Sequence, residues 1–137
     1  MTVRSSPSDV TEVPKPSNTG FIRVIEAAGY SSKGLRAAWR YESAFRQECT
    51  VGVILLPCAV LLAESWLQLA MLILVCVLVV ITELMNSAVE AVVDRVGLEH
   101  HELAGRAKDI ASAAVALAIV LVPVIWTMVA LDRFVGY

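Results

Sequence analysis

Residues 65–82 read SWLQLAMLILVCVLVVIT, and residues 83–95 continue directly as ELMNSAVEAVVDR. The first part carries no charge and is close to the ~20 apolar residues that a membrane-spanning helix needs. In the second part Glu83, Asn86, Ser87, Glu90 and Asp94 fall at i, i+3, i+4, i+7 and i+11. That spacing places them on one helical face. Leu84, Met85, Val89, Val92 and Val93 keep the other side apolar. The pattern predicts a single helix that crosses the bilayer and runs out of it, carrying a polar stripe. If the helix starts near Ser65, Glu83 lies about 27 Å along at 1.5 Å per residue, close to the edge of a ~30 Å hydrocarbon core. Glu90 lies about 10 Å further, in the headgroup or aqueous zone. A desolvated carboxylate at the first depth suits a general base. One at the second suits a hard cation bound through oxygen. Packing by interhelical hydrogen bonds alone accounts for a lone intramembrane Asn or Gln, but not for five polar residues on one stripe.

Two further uncharged stretches flank this one, Cys49–Ala63 and Ile110–Leu131. The second is long enough to span outright. The first is short and contains Pro57, so by itself it fits a buried or re-entrant helix as well as a span. The basic residues decide. Arg4, Lys15, Arg23, Lys33, Arg36, Arg40 and Arg46 precede the first stretch, and none separates the first from the second. Arg95, Arg106 and Lys108 stand between the second and third, and Arg133 follows. By the positive-inside rule the N-terminus and residues 84–109 are cytoplasmic, which requires three spans.

Composition agrees. The 137 residues suffice for one domain, 58% are hydrophobic and only 18% charged, against roughly 45–50% and 25% in soluble domains. The mean hydropathy is +0.71. A net charge of −2 argues against a nucleic-acid partner. Cys58 and Cys76 sit in apolar runs, and without a CxxC pair the three cysteines read as small buried hydrophobes. Residues 1–19, with Pro7, Pro14 and Pro16 among Ser, Thr and Asn, read as a disordered tail rather than a signal peptide. Residues 20–48 read as an interfacial helix or helix pair. Phe21, Ile22, Val24, Ile25 and Ala28 form one apolar set, and Leu35, Ala38, Trp39 and Phe45 form a second after Gly29. The expected domain is therefore residues 20–137, with a surface helix over 20–48 and spans near 49–63, 65–90 and 110–131.

The connection Glu99-His100-His101-Glu102 leads to Gly105-Arg106-Ala107-Lys108-Asp109. Adjacent histidines point apart on a helix, which argues against zinc. Arg106 and Lys108 share the cytoplasmic side with Glu90 and suit phosphate. No Walker A sequence or kinase Gly-rich loop is present. Any nucleotide site here must therefore be built from side chains and a metal.

These residues resemble the bacterial integral-membrane diacylglycerol kinase family over 20–115. The most specific piece is Glu83-x-x-Asn86-Ser87-Ala88-Val89-Glu90-Ala91-Val92-Val93-Asp94. Ala27–Ser31, Lys33–Trp39, Glu42–Glu48 and Glu99–Asp109 support it, running on to Ser112–Val115. The resemblance implies an all-α homotrimer of three-span subunits, each with an amphipathic N-terminal surface helix, in the bacterial inner membrane. It implies transfer of the γ-phosphate of MgATP to the primary hydroxyl of diacylglycerol, giving phosphatidic acid and ADP. Glu83 then matches the base, with Asn86 in support, and Glu42 and Glu90 match the Mg²⁺ carboxylates. ATP contacts match Arg23, Tyr30, Glu42, Glu90, Glu99, His100, His101, Lys108 and Asp109. Lipid contacts match Arg23, Arg36, Ala37, Ala38, Trp39, Ala44, Phe45, Arg46, Gln47, Glu48, Glu83 and Ser112. Glu26, Ser32, His100, Ala104 and Ala111 depart from the family pattern, and none of them is a proposed base or metal residue. An undecaprenol kinase of the same family shares this chemistry, but Asp94–Gly97 and Gly105–Asp109 resemble the diacylglycerol branch more. A small cation-coupled transporter would want its carboxylate near the bilayer midplane, whereas this stripe lies towards one end. A non-catalytic assembly subunit leaves the Glu83–Glu90 stripe without a role.

Overall fold

The computed structural model describes residues 20–97 and 101–136, and all its regular elements are helical. Among the described residues there are four helices: α1 (Gly20–Tyr41), α2 (Ser43–Leu62), α3 (Trp66–Val96) and α4 (Glu102–Val135). The expectation for residues 1–19 lies outside the described residues. Residues 20–33 belong to one compact unit and residues 34–136 to another. Within the first, Ser31 Oγ donates to the Ala27 carbonyl at 3.0 Å and the Lys33 ammonium sits 5.8 Å from the Tyr30 ring centre.

The first apolar set and Leu35, Ala38 and Trp39 of the second lie on one unbroken α1, while Phe45 falls on α2. The helix break comes at Glu42 instead, and α2 starts before the apolar stretch and absorbs Phe45–Glu48 into its first turns. Pro57 sits inside α2 without ending it. Ser65 caps α3, its hydroxyl accepting from the Gln68 amide at 3.2 Å. From there α3 continues for 31 residues, about 46 Å at 1.5 Å per residue, well beyond a ~30 Å hydrocarbon core. Crossing helix and polar stripe are thus one element.

Helices α2, α3 and α4 are each long and apolar enough to cross a membrane. Their packing leaves most apolar surface outward: Leu61, Leu67 and Leu117 are 74%, 71% and 69% exposed. In water so much exposed aliphatic surface would drive association, whereas lipid accepts it. Helix α4 packs along α3, and α2 packs against α3. The core is narrow. Ala59, Leu72 and Val129 form its centre, with Leu62, Leu69, Ile125 and Trp126 against it. On α3 the buried positions are Leu72, Val75, Val79 and Glu83. One inward stripe therefore carries three aliphatics and ends on a carboxylate.

The end of the bundle away from Glu83 is latched. Arg133 Nη1 donates to the carbonyl oxygens of Leu61 and Leu62, the latter at 2.8 Å, and so satisfies the C-terminus of α2. Gln68 Nε2 donates to Asp132 Oδ2 at 2.6 Å, while its Oε1 accepts from the Glu64 amide at 2.7 Å. Charge-assisted bonds of this kind contribute roughly 1–3 kcal/mol. Arg133→Ala should therefore lower the thermal unfolding midpoint in detergent by several degrees. An unchanged midpoint would show that the latch adds nothing to stability.

Candidate active site

Glu83 occupies a core position on α3 and is 5% exposed. A carboxyl group there loses hydration that an aliphatic would not miss, so the fold bears a cost at this residue. Among the described residues, no side-chain hydrogen bond involves Glu83. Its carboxylate lies within electrostatic reach of Glu42 and Glu48 from the α2 side and of Glu90 on its own helix. Glu83 is therefore within electrostatic reach of three other carboxylates.

The stripe beyond Glu83 emerges gradually from the protein. Asn86, Ser87 and Glu90 are half-buried and Asp94 is exposed. Asn86 Nδ2 donates to Glu90 Oε1 at 3.0 Å, one turn further on. That bond fixes the rotamer of Glu90 and leaves its second oxygen for another partner. Asn86 Oδ1, Ser87 Oγ and Glu48 Oε2 are buried with no hydrogen-bond partner. Orphaned buried acceptors are uncommon and mark places where a further donor or cation fits. No three His, Cys, Asp or Glu side chains among the described residues converge closely enough to hold a metal by themselves. A hard cation completed by phosphate oxygens suits such a set, because Mg²⁺ commonly takes one or two protein carboxylates plus the nucleotide.

At the far end of the stripe Asp94 pairs with Lys108 of α4, Oδ1 to Nζ 2.6 Å. Lys108 stands two residues ahead of the uncharged stretch of α4. Its hydrogen bond to Asp94 holds the ammonium above its ordinary pKa, so it remains charged at neutral pH. The pairing was not foreseen: it depends on the register between α3 and α4, and opposite charge on both was its only trace in the sequence. His101 caps α4, its Nδ1 accepting from the Leu103 amide at 3.2 Å. The capping His101 is exposed. Asp109 and Ser112 are exposed, and Glu99 and His100 lie outside the described residues.

On α1 and α2, Ala38 and Phe45 are buried at 7% and 4%, while Arg36, Ala37, Trp39, Ala44 and Gln47 are exposed. Glu48 also lines an apolar groove of about 300 Å³ between α2, α3 and α4, with Val51, Leu55, Cys76, Val79 and Pro123. Arg23 and Tyr30 belong to the first unit, both exposed. The structure thus brings Glu42, Glu48, Glu83, Asn86 and Glu90 into one neighbourhood, with Lys108 joined to the end of the same stripe.

Residues 29–130 match the prokaryotic diacylglycerol kinase family. A diacylglycerol kinase of Escherichia coli is 50% identical over 116 residues, covering 85% of this chain and 95% of that protein. One from Pseudomonas aeruginosa is 47% identical over 118 residues, covering 86% and 96%. One from Haemophilus influenzae is 45% identical over 108 residues, covering 79% and 92%.

Proposed function

The chain belongs to the prokaryotic diacylglycerol kinase family, and from that premise we propose that it phosphorylates diacylglycerol with MgATP at the Glu83 site. The observation that carries the reading is a carboxylate in a core position, 5% exposed, at the membrane end of a polar stripe that continues into water. The lipid hydroxyl resides at that depth, and ATP arrives at the other end of the stripe. The hydroxyl oxygen attacks the γ-phosphorus, the bond to the β–γ bridging oxygen breaks, and ADP leaves. Glu83 takes the hydroxyl proton.

Phosphoryl transfer asks for positioning and charge neutralisation more than covalent chemistry. Glu42 and Glu90 would hold Mg²⁺, which when bound neutralises charge on the phosphate oxygens. Asn86 supports this by keeping Glu90 in place. Lys108, Asp109, Arg23, Tyr30, Glu99, His100 and His101 are assigned to ATP. Arg36–Trp39, Ala44, Phe45, Gln47, Glu48, Arg23 and Ser112 are assigned to the lipid, and the role of Arg46 is taken up below. The outward aliphatic surfaces and the polar stripe on α3 suit a homotrimer in the bacterial inner membrane. In it α1 lies along the cytoplasmic surface, the N-terminus is cytoplasmic, residues 20–137 form the kinase domain and residues 1–19 its tail. The placement of Glu83 towards one end of the span weighs against a transporter.

The test is ATP-dependent phosphorylation by the purified protein in detergent, with diacylglycerol and undecaprenol side by side, with and without Mg²⁺. Strong Mg²⁺-dependent turnover of diacylglycerol is expected. A preference for undecaprenol would move the substrate and keep the chemistry. Phosphorylation of neither alcohol by folded oligomer would overturn the reading.

A further inference from the structure

Glu42 is the single non-helical residue between α1 and α2, with φ −102° and ψ 114°. At such a break the last carbonyls of the first helix lose their intrahelical donors. The carbonyls of Trp39 and Arg40 would have taken the amides of residues 43 and 44, which instead open α2. Both carbonyls are recovered by one side chain. Arg46, in the first turn of α2, reaches back across the break, and its Nη1 donates to Trp39 O at 3.0 Å and to Arg40 O at 3.4 Å. Beside it the rings of Trp39 and Phe45 meet edge to face, with centroids 6.4 Å apart and planes at 89°. The Glu42 amide itself donates to Ala38 O at 2.8 Å. The elbow is therefore tied on both sides of Glu42, and a cation supplies the main tie.

We propose that Arg46 is a positioning residue: by capping the end of α1 it fixes the elbow from which Glu42 presents its carboxylate to the Glu83–Glu90 stripe. The inference rests on the proposed kinase reading for the role of Glu42, and it moves Arg46 out of the lipid contacts that the family resemblance implies and into the elbow. With Nη1 held by two backbone carbonyls, the guanidinium is anchored at the elbow. Its loss would let α1 and α2 reorient, and a metal ligand one turn away would lose its fixed direction. Partners of metal ligands commonly change metal affinity by about 10–100-fold.

The experiment compares the parent, Arg46→Gln and Arg46→Lys in vesicles, by two readouts. Spin labels at Leu35→Cys and Val53→Cys, in full-length chains whose native cysteines are replaced, report the α1–α2 distance. Labelled chains are diluted with unlabelled ones to suppress distances between subunits. Expected is a narrow distribution in the parent, a broad one in Arg46→Gln and an intermediate one in Arg46→Lys. In turnover, Arg46→Gln should raise the Mg²⁺ concentration for half-maximal rate about tenfold or more, with KM for diacylglycerol nearly unchanged and partial recovery in Arg46→Lys. An unchanged distance distribution in Arg46→Gln overturns the proposal. So does a rise in lipid KM with an unmoved Mg²⁺ titration, which would make Arg46 a lipid contact. A parent that phosphorylates neither alcohol sinks the kinase reading instead, and the distance measurement still decides the elbow.

Discussion

Glu83→Gln is expected to lower turnover of diacylglycerol by about 10²–10⁴-fold, the range for removing a general base, while the protein becomes no less stable. The second half of that expectation follows from the packing. Glu83 is nearly fully buried, and its carboxylate shares its surroundings with those of Glu42, Glu48 and Glu90. Glutamine keeps the shape and removes one of several mutually repelling charges from a poorly hydrated place. A thermal unfolding midpoint equal to or above that of the parent, with MgATP still bound, would mark a carboxylate kept for chemistry at a cost to the fold. A midpoint and a rate that fall together would instead make Glu83 a packing residue, and the base would have to be sought elsewhere on the stripe.

Metal dependence is the second large effect. Glu90→Gln retains an oxygen that can accept from Asn86 Nδ2, so the local helix geometry survives and only the charge is lost. Glu42→Gln removes the other carboxylate without touching the backbone of the elbow. Each should raise the Mg²⁺ concentration for half-maximal rate by roughly tenfold or more, with part of the rate recovered at saturating Mg²⁺. Chelation of the metal should abolish turnover in parent and variants alike. Identical Mg²⁺ titrations for parent and variants would remove both residues from the metal site.

The uncharged runs and the basic residues around them made three long helices legible, and the i, i+3, i+7 spacing from Glu83 made the α3 stripe legible. These are local patterns, set by burial and helical period. What the sequence did not show depends on pairing between distant residues. The break at Glu42 has no Gly or Pro to announce it. It is maintained by Phe45 entering the core and by Arg46 turning back, whereas Gly29 and Gly34 are both carried within α1. The Lys108–Asp94 pair and the Gln68–Asp132 bond each require the register between α3 and α4, which no single helix encodes. Asn86 was readable as a polar residue beside the base, but its hold on Glu90 needed side-chain geometry.

The latch at the other end has a consequence for how the chain matures. Leu62 and Arg133 are 71 residues apart, and at bacterial or slower elongation speeds of about 5–20 residues per second the donor follows its acceptor by roughly 4–14 s. During that interval the Leu61 and Leu62 carbonyls lack this donor, and the end of α2 lacks its tie to α4. The order of synthesis thus becomes an order of commitment, in which the carboxylates of the stripe are made early and the opposite pole is closed by a late arginine.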